Sequence, residues 1–60
     1  MKKGDRVTYI APYIEEHGIV KKVQNKDHVF VVYHCNEDWK NYEKYTGEST
    51  RIVDLVEGWV

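Results

Sequence analysis

Apolar and polar residues alternate through Arg6-Val7-Thr8-Tyr9-Ile10. Successive strand side chains point to opposite faces, so this pattern predicts a half-buried strand with Val7 and Tyr9 inward. Ala11-Pro12 ends it, because proline removes a ladder donor. A loop through Tyr13, Ile14, Glu15, Glu16 and His17 is expected next. Residues 18–23 read as a second strand, with Gly18 marking a bulge or sharp bend. The polar Gln24-Asn25-Lys26-Asp27 tolerates turn geometry and leads into residues 28–34, nearly all β-branched or aromatic. A run apolar on both faces belongs to a central strand, or to one bent enough to serve the core twice. Alternation then stops. Across residues 35–48, Trp39, Tyr42 and Tyr45 recur every third position, the spacing that eclipses side chains on a short 3-10 turn. Asn36 or Asp38 can cap that turn, and Gly47 ends it. Residues 48–53 form the predicted fourth strand, 54–58 a tight turn and 59–60 a short closing strand. The expectation is all-β: a small five-stranded barrel over residues 1–60, whose closure removes sticky edges.

Size sharpens this picture. A chain of 60 residues buries only about 60% of the surface its unfolded form exposes. An unstapled core of that size rarely supplies more than roughly 3–5 kcal/mol. Cys35 is the only cysteine, so no intramolecular disulfide helps, and a lone thiol suits a reducing compartment. No apolar run approaches the roughly 20 residues that cross a bilayer. The charged Met1-Lys2-Lys3-Gly4-Asp5 lacks the apolar stretch of a signal peptide. A cytoplasmic location, with no membrane partner, is therefore expected.

Net charge is −1, unevenly spread. Residues 1–34 hold six Lys/Arg against four Asp/Glu, and residues 35–60 hold three against six. A nucleic-acid binder usually shows a basic footprint, which the whole chain lacks. A local patch of Lys2, Lys3, Arg6, Lys21, Lys22 and Lys26 is the exception, and solvated strand faces explain it as simply.

Gly4-Asp5-Arg6-Val7-Thr8-Tyr9, Gly18-Ile19-Val20, Val29-Phe30-Val31-Val32-Tyr33 and Leu55-Val56-Glu57-Gly58-Trp59 together outline nearly the whole chain. That outline resembles the Src-homology-3-like barrels, and among them the Tudor-like and KOW-like modules. The stretch from Phe30 through Thr50, followed by Leu55 and Gly58-Trp59, also resembles small proteins encoded by bacteria and their prophages. The Tudor-like resemblance implies an aromatic cage with an acidic partner that grips a methylated cation, through cation–π attraction of ~0.5–2 kcal/mol per contact. Its candidates are Tyr13, Trp39, Tyr42 and Tyr45, with Asp38 or Glu43. The KOW-like resemblance implies contact with RNA or a ribosomal surface.

Weighed by chemistry alone, binding is favoured over catalysis. Trp39, Tyr42 and Tyr45 form either an exposed recognition surface or a cover that enlarges a deficient core. Trp59 reads as a core plug. His34 and Cys35 are sequential on a strand and point apart, so His17, His28, His34 and Cys35 make no zinc spacing. Cys35 reads as a small buried thiol rather than a nucleophile. The pairs Glu15-Glu16 and Glu37-Asp38 read as solvated charge. No phosphate-binding glycine loop occurs, and neither cofactor nor metal is expected. The leading expectation is a protein or peptide interaction module, contacting a basic partner through Tyr13 and the 36–48 connection. The alternative is nucleic-acid binding by Arg6, Lys21, Lys22 and Lys26, with Tyr13 or Tyr33 stacking on bases. Self-association through an exposed aromatic patch is a third reading.

Overall fold

The computed structural model describes residues 1–60 and places β1 at Arg6–Ala11, β2 at Ile14–Val23, β3 at His28–Val32, β4 at Glu48–Arg51 and β5 at Leu55–Glu57. Neighbouring strands are antiparallel in the order β4-β3-β2-β1-β5, and the sheet curls into a half-barrel. Two 3-10 turns complete it, η1 at Trp39–Lys44 and η2 at Ile52–Asp54. This is the expected all-β architecture, compatible with a Src-homology-3-like fold. No helix is long and apolar enough to cross a membrane.

The concave face holds the core: Val7, Val20, Val29, Val31 and Leu55, with Met1, Tyr9, Tyr33 and Ile52 packed around it. Register explains the grouping, because Val20 lies opposite Val31, and Ile19 opposite Val32 on the other face. Ile19, Val32 and Cys35 are nevertheless buried, so the sheet is covered on both sides here. The η1 turn lies against β2 and supplies part of that cover. Full burial of a valine or isoleucine side chain stabilises by about 1.5–3 kcal/mol, so a second layer matters to so small a domain. Cys35 is thus a buried thiol, and His34 beside it is exposed.

Gly18 serves close approach. A Cβ there would overlap Val31 Cγ1 and sit 3.0 Å from Tyr33 Cδ1. The bulge expected at Gly18 lies instead at Lys21, where pairing shifts from Val20–Val31 to Lys22–Phe30.

Several boundaries differ from the sequence expectation. The 13–17 loop is mostly strand, since β2 begins at Ile14 and pairs with β1 up to Ala11. Pro12-Tyr13 alone make the turn, and the charged residues after it suit a ribbon with little cover. The third strand stops at Val32, two residues early. The fourth stops at Arg51, where η2 begins, and the fifth is Leu55–Glu57 rather than 59–60. Leu55 is the core residue that anchors this last pairing, opposite Tyr9.

Trp59 is no core plug. It lies half-buried outside the core cluster, stacked on His17 with ring centroids 5.1 Å apart and tilted against Trp39 at 5.0 Å. The Arg6 guanidinium sits 4.6 Å from its ring centroid, and its Nε1 donates to the Gly18 carbonyl at 2.9 Å. The same tail buries Thr8, whose hydroxyl donates to Gly58 O at 2.7 Å and accepts from the Val60 amide at 3.2 Å.

Candidate functional site

Three strands converge where the half-barrel stays open. Tyr9 on β1 lies opposite Glu16 on β2, and Tyr33 follows the end of β3. The missing side chain at Gly18 admits the Tyr33 ring, whose hydroxyl bonds Thr50 Oγ1 at 2.8 Å. Tyr9 and Tyr33 meet edge to face, with centroids 6.1 Å apart and planes at 72°. They line a cleft of about 500 Å3 with Ile14, Glu16, His34, Glu48, Arg51 and Asp54.

The cleft is electronegative. Arg51 Nε donates to Asp54 Oδ2 at 3.0 Å, which pairs the two charges. His34 Nε2 lies 3.7 Å from Glu16 Oε2, and that pair attracts only when the imidazole is protonated. Glu48 has no ion-pair partner. Burial pushes the Tyr33 phenol above the ordinary tyrosine range; the Thr50 bond opposes this, while the Glu48 and Glu16 carboxylates add to it. Two ring systems and an unpaired carboxylate therefore face a space large enough for a side chain.

The residues singled out from sequence lie elsewhere. Tyr13 is 98% exposed at the β1–β2 turn and lines none of these clefts. Trp39, Tyr42 and Tyr45 are half-buried. Trp39 leans on Trp59, and the Tyr42 hydroxyl lies 3.7 Å from where a Gly4 Cβ would be. Tyr45 donates to Asp38 Oδ2 at 3.2 Å, and Asp38 also accepts from Asn41 Nδ2 at 2.9 Å. Partial burial first, then the Asp38 carboxylate, pushes the Tyr45 phenol up. Glu43 pairs with Lys3 at 2.7 Å, which raises the Lys3 ammonium.

The basic candidates are also dispersed. Arg6 covers Trp59, Lys26 lies in the 24–27 turn, and Lys21 Nζ donates to the Tyr45 carbonyl at 2.6 Å. Only Lys21 and Lys22 meet, beside Phe30 and Gly47, around a depression of about 220 Å3. No cluster of three or more His, Cys, Asp or Glu side chains is gathered to hold a metal.

Sequence reasoning misses Tyr9 and Glu16, and places Glu48 only at the margin of the aromatic connection. Tyr9 reads as core because its position is inward, and its half-exposure depends on the barrel staying open beside it. Glu16 falls within the expected loop, where a carboxylate carries no signal of a site.

The class defined by this geometry is a small open β-barrel with an acidic, tyrosine-lined cleft. Comparison with protein-family models, curated proteins and solved structures finds no match for the chain.

Proposed function

We propose that the protein is a non-catalytic binding module that captures a basic segment of a protein or peptide, seating a cationic side chain against the Tyr9–Tyr33 pair and beside Glu48. The observation that carries this reading is the unpaired Glu48 carboxylate beside two tyrosine rings in an open cleft. A cation there gains ring-quadrupole and carboxylate attraction together. The arrangement is similar in chemistry to the cages of Tudor-like modules, on different residues from those the sequence pattern singles out. In this reading Trp39, Tyr42, Tyr45, Asp38 and Glu43 form the wall that holds β2 and β3 in place. Cys35, buried and unpaired, suits a reducing compartment such as the cytoplasm.

The test is titration with N-acetyl-lysine amide and N-acetyl-arginine amide, followed by shifts of the Tyr9 and Tyr33 ring resonances. Both rings are expected to respond, and Glu48→Lys is expected to abolish the response with the far-ultraviolet circular dichroism unchanged. Rings that stay silent at saturating ligand remove the reading.

Nucleic-acid contact is the second reading, supported by Lys21 and Lys22 meeting beside Phe30 at the bulge. It ranks below the first because Lys21 and Arg6 are already engaged. Its sign is affinity for mixed oligonucleotides that falls steeply with salt.

A further inference from the structure

The two long strands do not match in their pairing. β1 pairs with residues 14–19 of β2, whereas β3 pairs only with residues 19–23 and stops at Val32. Residues 14–18 of β2 thus have a strand on one side only.

Hydrogen bonds near the first strand fix which backbone groups face the empty side. The Gly4 amide donates to Val20 O at 2.8 Å, and the Val20 amide donates to Asp5 O at 2.9 Å. Val20 therefore directs its backbone groups toward the β1 side. Strand alternation makes Gly18 and Glu16 do the same, and turns Ile19, His17 and Glu15 the other way. Ile19 meets Val32. His17 and Glu15 have no strand partner there: no backbone hydrogen bond joins either of them to the 33–38 segment. Their N–H and C=O groups form a short, exposed, unpaired ladder.

Space for a strand exists beside that ladder. A depression of about 390 Å3 is bounded by Glu15, His17, Tyr33, His34 and Trp39. It shares Glu16, Tyr33 and His34 with the tyrosine cleft, so the two adjoin. Charge selects the occupant. Free edges are usually guarded by charged side chains, lysine above all, and the charges on this one are Glu15 and Glu16. Two copies meeting here would set carboxylates against each other, while a basic strand would neutralise them.

We propose that the edge of β2 at residues 15–17 is a strand-addition site for an extended peptide with basic residues at alternate positions. This rests on the cation reading of the adjoining cleft. Side chains on the concave side of the added strand reach Glu16 and the tyrosines, and those on the convex side meet Glu15, His17 and Trp39. Main-chain bonds supply affinity, and the alternating side chains supply selectivity.

The experiment uses the isotope-labelled whole chain and a short peptide alternating lysine with threonine, with N-acetyl-lysine amide as a cation that has no strand to add. The peptide is expected to slow exchange of the Glu15 and His17 amides by about tenfold or more, and the single residue is expected to leave them unchanged. Glu15→Pro removes a donor that β1 does not use. It is expected to weaken the peptide at least about tenfold while N-acetyl-lysine amide still shifts the Tyr33 ring. Ring shifts without amide protection overturn the edge and leave the cleft standing. Silence from both the rings and the amides overturns both. Protection in free protein that grows with its concentration assigns the edge to a second copy and overturns the peptide. Should Glu15→Pro not fold, the exchange measurement on the unaltered chain still decides.

Discussion

Asn36 and Glu37 carry φ of 52° and 62°, and the Asp38 amide donates to Cys35 O at 2.9 Å. Two consecutive left-handed residues spanned by that bond make a type I′ turn, which releases the chain from β3 into η1. Asparagine tolerates this conformation, but a glutamate there costs roughly 1–2 kcal/mol. Glu37 is exposed and makes no hydrogen bond or ion pair that would offset the cost. Glu37→Gly is therefore expected to raise unfolding free energy by about 0.5–1 kcal/mol, after the added entropy of the unfolded chain, read from the urea midpoint. The asparagine was legible as a turn residue. The glutamate was not, because nothing in its side chain favours a left-handed backbone.

At the scale of elements, the tail beyond β5 behaves as a clasp. Trp59 touches Arg6, His17 and Trp39, which belong to β1, β2 and η1, and bonds Gly18 on β2. Trp59→Ala is expected to lower stability by about 2 kcal/mol, since a half-buried ring and one hydrogen bond are lost together. Trp59→Phe keeps most of the ring contact and should cost about 1 kcal/mol, the worth of the indole bond. Equal urea midpoints for the two variants would contradict this division. The β2–β3 hairpin and the 3-10 turn were readable from β-branched density and three-residue spacing. The length of β2 was not, because its first residues alternate charged and weakly apolar side chains that also suit a loop.

The whole molecule carries a net charge of −1, and three groups tie its stability to alkaline pH. Burial raises Tyr33, partial burial and Asp38 raise Tyr45, and the bond to Glu43 raises Lys3. Each holds its proton more tightly folded than unfolded. Their contribution is therefore complete below the unfolded values, about pH 10, and is lost as pH rises through the folded ones. Urea midpoints are expected to hold level toward pH 9 and decline above about pH 10, with a shallower decline in Tyr33→Phe. A decline of unchanged slope in that variant would assign the alkaline loss to other groups.

Period-two patterning, turn residues and one proline were enough to determine an all-β chain, its central hairpin, its 3-10 connection and a buried Cys35. These are local properties, fixed by which face each side chain takes along a strand. Tertiary structure alone decided that Trp59 clasps the outer face, that Tyr9 and Tyr33 meet over a carboxylate, and that one side of β2 lacks a neighbour. Each of those depends on where a strand stops relative to its partner, and that is set by packing between segments far apart in the chain.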